Sequence, residues 1–303
     1  MPIIVPKDIP AAKILKSENI FVMNNVRAQK QDIRPLEIAI LNLMPTKEVT
    51  ETQIMRLLSN SPLQVNITLI STETYVGKNT SLEHLKRFYK NFSDIKNKKY
   101  DGMIITGAPV ENVDFKDVKY WDELKSIFDF AKTNVTSTLF ICWGAQAALY
   151  HFYGIEKHPL EKKLFGVFKH KKLVNYDKLL KGIDDRFFMP HSRHSTVKEE
   201  DIKKCKDIVL LATSKEAGAT IIRSKDDKFI FITGHAEYDR ETLELEYLRD
   251  KSRGLDVEIP YNYYVNDKVG EIKMSWVSTA NVLYMNWLNH YVYQATPYEI
   301  EDI

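Results

Sequence analysis

Short apolar runs alternate with amphipathic helical patterns through the first half of the chain, and this alternation constrains its fold more than any other feature. A short apolar run bounded by turn residues is typical of a buried strand, whereas apolar positions three and four apart are typical of a helix. We predict strands at residues 37–43, 63–71, 102–106 and 137–142, and helices at residues 47–59, 82–91, 120–133 and 145–153. Strands and helices that alternate in this way form βαβ units, which assemble a mainly parallel sheet.

The second half of the chain continues the α/β pattern. We predict strands at residues 208–212, 219–223 and 229–233, and helices at residues 239–251 and 276–291. The predicted fold class is therefore α/β, with a three-layer arrangement of a mainly parallel sheet flanked by helices. Ligands of such sheets bind beyond the carboxyl ends of the strands, so residues 43–46, 106–111 and 141–144 are candidate site segments. A length of 303 residues allows one large domain or two interlocked ones.

Composition and charge exclude several classes of protein. Hydrophobic residues make up 44% of the chain and charged residues 28%, which is ordinary for a globular protein. The net charge is only +2, and the densest basic run, residues 169–172, predicts a solvated edge, so we expect no nucleic-acid or membrane partner. Two cysteines do not make a disulfide framework, and neither a signal-peptide pattern nor a membrane-length apolar run is present. These features predict a reducing, cytoplasmic location.

Cys142 lies in a strand–turn–helix pattern formed by residues 140–146. The N-terminus of the predicted helix would favour a thiolate and could bind an oxyanion, and Gly144 would allow the helix to approach the strand closely. This local pattern alone leaves two alternatives, a nucleophilic cysteine or a buried apolar one. Cys205, which lies among lysines outside any such pattern, is predicted to be structural or incidental.

A nucleophilic cysteine needs a base, and the base needs a group that orients it. His235 follows the predicted strand at residues 229–233, and Glu237 lies two positions later, where its carboxylate could orient the imidazole. Together with Cys142 these residues predict a Cys–His–Glu triad. His191 and His194 are assigned to a loop after Pro190 as candidate substrate contacts. The other five histidines, among them His84 and His170, have no distinctive sequence setting.

The pattern Cys142-x-Gly144-x-Gln146, together with His235-x-Glu237, resembles the class I glutamine amidotransferase-like (flavodoxin-like) fold. The typical cysteine turn of that superfamily has glycine where this chain has Phe140, which weakens a glutamine-hydrolysing interpretation. The whole chain resembles more closely the homoserine O-acyltransferases of methionine biosynthesis. The matching segments are Met1-Pro2-Ile3, Val5-Pro6, Arg27-Ala28, Gln31 to Leu36, Ile40 to Pro45 with Lys47, Thr50-Glu51, Thr106 to Glu111, Cys142 to Gln146, Pro190 to Arg193, and Thr233 to Tyr238.

This resemblance implies a ping-pong acyl transfer from acyl-CoA to the hydroxyl of L-homoserine. Cys142 matches the nucleophile that carries the acyl group, His235 the general base, and Glu237 the residue that orients it. The backbone N–H groups of Trp143 and Ala108 are candidates for the oxyanion hole. The resemblance also makes Arg249, Lys163 and Ser192 homoserine-binding residues. Lys47 lies at the end of the first predicted strand, which makes it a candidate donor contact. It implies a single domain over residues 1–303, with a core sheet at about residues 36–250, a homodimer, and no metal or cofactor, since the acyl-CoA is a co-substrate.

Glu111 carries the prediction of the acyl donor. In the family that the chain resembles, glycine at this position accompanies succinyl-CoA and glutamate accompanies acetyl-CoA. A succinyl group ends in a carboxylate, which Glu111 would repel and displace, whereas an acetyl group fits beside it. We therefore expect acetyl transfer from acetyl-CoA. The alternatives are succinyl transfer from succinyl-CoA, a glutamine amidotransferase-type hydrolase, and a non-catalytic binding protein on the same fold.

Overall fold

The computed structural model describes residues 3–6, 8–18, 22–23, 34–74, 80–297 and 299–303. The motif residues Met1, Pro2, Arg27, Ala28 and 31–33, on which part of the family resemblance rests, lie outside the described residues.

Twelve strands of the described residues join one mixed sheet. They are β1 (Ile3–Ile4), β2 (Val22–Met23), β3 (Leu36–Leu41), β4 (Val65–Ser71), β5 (Tyr89–Asn91), β6 (Tyr100–Ile105), β7 (Val135–Ile141), β8 (Lys157–Lys172), β9 (Arg186–Val197), β10 (Ile208–Ser214), β11 (Gly218–Ser224) and β12 (Phe229–Ile232). Their spatial order is β2-β1-β4-β3-β6-β7-β12-β11-β10-β8-β9, and β5 pairs with β4. The part from β2 to β12 is parallel, and the remainder is antiparallel.

The pairing of β7 with β12 determines where the site forms. These strands run parallel, with Ile141 paired to Ile232, the last residue of β12. Strand β6 flanks β7 on its other side, with Ile105 paired to Phe140. Since the carboxyl ends of parallel strands meet at one edge of a sheet, the segments that follow all three strands lie together.

Helices cover both faces of the sheet. They are α1 (Pro10–Ser17), α2 (Lys47–Leu58), α3 (Leu82–Phe88), α4 (Trp121–Asn134), α5 (Trp143–Tyr153), α6 (Glu199–Lys204), α7 (Thr242–Ser252) and α8 (Val277–Asn286). In β3, Ile38 and Ile40 pack in the same core cluster as Ile54 of α2, whereas Ala39 and Leu41 pack with α4 and α5. This alternation is the period of two that a strand imposes on its side chains. The predicted three-layer α/β fold is confirmed.

A long antiparallel hairpin, β8–β9, corrects two sequence predictions. Residues 169–172, predicted as a solvated edge, belong to β8, where His170 is buried between exposed lysines. Residues 190–194, predicted as a loop, belong to β9. Polar residues alternate with apolar ones in these strands, and Pro190 suggested a break in the chain. Pairing of β8 with both β9 and β10 overrides that local signal.

Other element bounds also differ from the predictions. Helix α3 ends at Phe88, because residues 89–91, predicted to be helical, form β5 against β4. Helix α5 begins at Trp143 rather than at residue 145, because Cys142 itself turns the chain. The last predicted helix, residues 276–291, is α-helical only as far as Asn286. A wider π-helical segment, Trp287–Tyr293, follows it directly. Among the described residues, no helix combines the length and apolar character needed to cross a membrane.

Candidate active site

Cys142 occupies a strained turn between β7 and α5. Its backbone has φ 50° and ψ −117°, a conformation that residues other than glycine rarely adopt. Its N–H donates to the carbonyl of Ile232 at 2.7 Å, and its carbonyl accepts from the N–H of Gln146 at 3.2 Å. The thiol therefore lies at the helix N-terminus, held by the ends of two neighbouring strands.

Two glycines allow the strand ends to approach this turn. A Cβ atom at Gly144 would lie 2.5 Å from the carbonyl oxygen of Thr106, so no larger residue fits there without displacement of α5. A Cβ atom at Gly107 would lie 3.2 Å from the Cβ of Cys142 and 3.6 Å from Cε1 of His235. The segment after β6 is therefore packed directly against both residues.

His235 and Glu237 form a buried pair beyond the end of β12. The distance between Nδ1 of His235 and Oε1 of Glu237 is 2.6 Å. Tyr238 stacks on the imidazole with ring centroids 4.1 Å apart, and the N–H of His235 donates to the carbonyl of Pro190 at 2.8 Å. These contacts fix the orientation of the ring. The distance shows that the two-residue spacing does bring the carboxylate to the imidazole.

Electrostatics favour a charged form of His235. Burial lowers the pKa of His235, but the negative charges of Cys142 and Glu237 and their hydrogen bonds to the ring outweigh burial, so the pKa lies well above its usual range. An imidazolium beside a thiolate is the arrangement that activates a cysteine nucleophile.

A cavity of about 460 Å³ opens over the thiol. Its wall brings together residues that are far apart in the sequence, namely Ala108, Glu111, Cys142, Lys163, Ser192, His235 and Arg249. Trp143 is not part of the wall, because its indole is buried and packs against Phe115 and Tyr120. Its candidate contribution is therefore confined to its backbone N–H.

Helix α7 contributes one complete wall of this cavity. Glu246, Arg249 and Asp250 of this helix line it together with Arg253, the residue directly after the helix, at the i, i+3, i+4 and i+7 spacing of one helix face. Of these four residues, only Arg249 was predicted from the sequence. The helical spacing around Arg249 was the signal that could have found them.

Charged and polar side chains of the wall pair with one another. Lys163 donates to Asp250 at 3.0 Å, and its ammonium lies 4.1 Å from the ring centroid of Phe165. Asp250 also accepts from Nε of Arg249 at 2.9 Å. Ser192 donates to Glu246 at 2.5 Å. The wall thus presents cations and carboxylates side by side, an arrangement suited to a zwitterionic ligand.

Glu111 lines the same cavity as the thiol. Burial raises its pKa to about 7, although the nearby His235 and Lys163 oppose the shift. The carboxyl therefore changes charge close to neutral pH.

Lys47 does not line this cavity, although its neighbours Met44 and Pro45 do. Its ammonium donates to the carbonyl of Asn42 and lies 5.5 Å from the ring centroid of Tyr89. Burial lowers its pKa to about 8, and Glu51 opposes the shift. The side chain faces the interior beside the cavity rather than the cavity itself.

Comparison with solved structures shows which fold the chain has. A glutamine amidotransferase from Thermotoga maritima superposes with a TM-score of 0.55 at 13% identity, covering 86% of this chain and 100% of that chain. A glutamine amidotransferase from Methylobacillus flagellatus gives a TM-score of 0.54 at 12% identity, covering 85% and 95%. The chain therefore has the fold of the class I glutamine amidotransferases, with a cysteine, a histidine and a glutamate at the carboxyl edge of its sheet.

The chain belongs to the homoserine O-succinyltransferase family, a family of acyltransferases whose model matches residues 2–298. A homoserine O-acetyltransferase from Clostridium acetobutylicum is 58% identical over 301 residues, which cover 99% of this chain and 100% of the relative. One from Methanomethylophilus alvi is 56% identical over 100% of this chain and 98% of its own length. One from Bacillus cereus is 54% identical over 98% and 99%. The family resemblance read from the sequence motifs is confirmed.

Proposed function

We propose that the protein transfers an acetyl group from acetyl-CoA to the hydroxyl of L-homoserine, through a thioester on Cys142. The observation that carries this proposal is the single cavity shared by Cys142, His235 and the charged wall of α7. A nucleophile and its base thereby face the groups suited to an amino acid. The names of the relatives at 53–58% identity support the same activity.

In the first half-reaction the Cys142 thiolate attacks the thioester carbonyl of the donor. A new C–S bond forms, and the carbonyl oxygen becomes an oxyanion, for which the N–H groups of Trp143 and Ala108 are the proposed donors. The tetrahedral intermediate collapses by breaking its bond to the CoA sulfur. His235 gives its proton to the departing CoA thiolate and becomes neutral. One thioester replaces another, so this step is nearly isoenergetic.

In the second half-reaction neutral His235 removes the proton from the homoserine hydroxyl. The resulting oxygen nucleophile attacks the acetyl-Cys142 carbonyl, and collapse of the intermediate releases O-acetyl-L-homoserine and the Cys142 thiolate. Glu237 stabilises the imidazolium that forms, at the 2.6 Å contact to Nδ1.

The α7 wall supplies the proposed amino-acid site. Arg249 is assigned to the homoserine carboxylate, which a guanidinium can bind bidentately. Lys163 and Ser192 complete the set predicted from the family resemblance. Glu246 and Asp250, which are paired with Ser192 and Lys163 respectively, provide negative charge for the homoserine ammonium. Opposite charges spaced along one helix face match the two ends of a zwitterion.

Acetyl is the acyl group that Glu111 favours. A carboxyl group in the cavity of the nucleophile fills the space that the distal part of a succinyl group would need, and when ionised it repels the succinyl carboxylate. The family model carries the name of succinyl transfer, whereas the relatives carry the name of acetyl transfer. The position of Glu111 favours the acetyl donor.

Two other functions are less well supported. A glutamine-hydrolysing role is disfavoured by Phe140, which replaces the glycine typical of those cysteine turns and is stacked on Phe231 with ring centroids 5.1 Å apart. A purely binding role is disfavoured because it does not require the hydrogen-bonded arrangement of Cys142, His235 and Glu237. A homodimer, a cytoplasmic location, one domain over residues 1–303 and a donor contact at Lys47 remain predictions.

Mass spectrometry of the intact protein tests the mechanism directly. After incubation with acetyl-CoA alone, we expect a mass increase of one acetyl group located on Cys142, and its loss when L-homoserine is added. Cys142→Ala should show neither the adduct nor release of CoA. Cys205→Ala is the matched control and should retain both. A protein that forms no adduct and releases no CoA in the presence of homoserine would contradict the proposal.

A further inference from the structure

A buried cation without a carboxylate partner lies beneath the site. Arg193 of β9 is 1% exposed. Its guanidinium donates to the carbonyls of Ser195 and Ala217, both at 2.6 Å, and to Nδ1 of His191 at 3.4 Å. Within the described part of the chain, no carboxylate lies within salt-bridge distance of Arg193. Burial of a charge is costly unless it is paired, and here all three direct partners are neutral.

The neutrality of its imidazole partner follows from the hydrogen bonds. Nδ1 of His191 accepts from Arg193, so in the neutral ring the proton is on Nε2, which donates to Nε2 of His170 at 3.0 Å. Burial lowers the pKa of His170 to about 3 and that of His191 well below its usual range. The histidine pair therefore contributes hydrogen bonds and no compensating charge.

Hydrogen bonds connect Arg193 to the segments that carry the nucleophile and the base. The carbonyl of Ser195, which accepts from Arg193, also accepts from the side chain of Gln146 at 3.1 Å. Gln146 lies in the first turn of α5, and its N–H donates to the carbonyl of Cys142. On the other side, the ring of His191 packs beneath Gly234, where a Cβ atom would lie 2.9 Å from Nε2.

We propose that Arg193 is a positioning residue whose uncompensated buried charge stabilises the thiolate of Cys142. The negative charges of Cys142 and Glu111 oppose the effect of burial on the pKa of Arg193, which lies at about 10. Arg193 therefore stays charged at neutral pH. In a poorly solvated interior, such a charge acts over a longer range than in water. This role rests on the proposed function, because it assumes that Cys142 is the nucleophile.

The test is the pH profile of Cys142 alkylation by iodoacetamide, measured by peptide mass mapping. The neutral variant Arg193→Gln keeps a hydrogen-bond donor, and Arg193→Lys keeps the charge. Ser195→Ala removes the hydroxyl bond to Gln146 and leaves the charge in place. Alkylation of Cys205 in the same molecules is the internal control. The other titratable or charged groups that face the thiol or line its cavity are unchanged in all variants, namely His235, Tyr238, Glu111, Lys163, His194, Glu246, Arg249, Asp250 and Arg253.

In Arg193→Gln, we expect the midpoint of Cys142 alkylation to rise by about one pH unit, which slows alkylation below the midpoint roughly tenfold. In Arg193→Lys, which keeps the charge, the midpoint should return most of the way to the wild-type value. Ser195→Ala and the Cys205 profile should stay at wild type. An unchanged midpoint in folded Arg193→Gln, or an equal shift in Ser195→Ala, would overturn the proposal. If Arg193→Gln does not fold, Arg193→Lys provides the test, because its charge lies at a different position from that of the guanidinium. We then expect the midpoint of Cys142 alkylation in Arg193→Lys to lie slightly above that of the wild type. An unchanged midpoint in Arg193→Lys would overturn the proposal.

The two proposals fail separately. A protein that forms no acetyl adduct but shows the alkylation shift would refute acetyl transfer and retain the role of Arg193. A protein that forms the acetyl adduct, but whose Arg193→Gln variant has an unshifted alkylation profile, would support acetyl transfer and refute the role of Arg193.

Discussion

At the scale of single residues, burial changes the chemistry of Glu111. A free glutamate is fully ionised at neutral pH, whereas burial raises the pKa of Glu111 to about 7. Below that pH the carboxyl is mostly neutral, and it excludes a succinyl group by volume alone. Above that pH it is ionised, and charge repulsion is added. Donor selectivity should therefore depend on pH.

We expect the ratio of kcat/KM for acetyl-CoA over succinyl-CoA to increase as the pH rises from about 6 to about 8. In Glu111→Gln, which keeps the volume without the charge, the ratio should be smaller at pH 8 and independent of pH. In Glu111→Gly it should fall by roughly tenfold to a hundredfold, because both exclusion effects disappear. Steady-state kinetics with the two donors measure these ratios. A wild-type protein that prefers succinyl-CoA throughout this range would refute the role of Glu111.

At the scale of elements, the site depends on how closely α5 approaches the end of β6. The helix begins at Trp143, and Gly144 in its first turn faces the carbonyl oxygens of Ile105 and Thr106. The positive-φ turn at Cys142 is thereby held in place by backbone atoms of a neighbouring strand. Backbone atoms move less readily than side chains, so the position of the thiol is set by packing that a single methyl group can disturb.

Gly144→Ala should lower the free energy of unfolding by about 1–3 kcal/mol, because the added methyl group must displace α5 from β6. Alkylation of Cys142 should slow as the helix N-terminus moves. Gly254→Ala is the control, since Gly254 has a positive φ of 72° but open space around it. Urea denaturation and alkylation rates measure both effects. Gly254→Ala should lose stability through backbone strain while its Cys142 reactivity stays at wild type, and an equal loss of reactivity in both variants would contradict the argument.

At the scale of the whole molecule, one sheet connects the parallel half to the antiparallel half. Strand β12 pairs with β7 on one side and with β11 on the other, so the two halves share an uninterrupted ladder. The cavity combines residues from both halves, since Cys142 follows β7 and Ser192 lies in β9. A candidate site that spans the two halves requires them to stay in register.

We expect the chain to unfold as one cooperative unit, consistent with a single domain over residues 1–303. The four tryptophans report on three separate hydrophobic clusters of the core. One cluster contains Trp121 and Trp143, a second contains Trp276, and a third contains Trp287. Tryptophan fluorescence and far-ultraviolet circular dichroism should therefore give coincident urea transitions. Transitions with different midpoints would instead indicate two units that unfold separately.

Local sequence patterns were sufficient for much of the parallel half of the fold and for the centre of the site. Strand and helix periods depend on neighbours a few residues away, so β3, β4, β6 and β7 could be predicted to within a few residues. The pattern around Cys142 and the spacing of His235 and Glu237 are also local. The prediction of the triad came from these residues, and the distance between His235 and Glu237 agrees with it.

Features that depend on pairing between distant segments of the chain could be seen only in the tertiary structure. Strands β8 and β9 look polar in sequence, and only their pairing in the sheet shows that His170 and His191 are buried together. Lys47 begins a helix near a strand end in sequence, yet its ammonium is turned toward Asn42. The contacts of Glu246 and Asp250 with Ser192 and Lys163 join residues 54 and 87 positions apart. Such contacts depend on sheet register and helix packing, which short-range periodicity does not encode. The sequence by itself therefore pointed to the candidate reactive residues, because their pattern is local, whereas the tertiary structure decided which charges surround them.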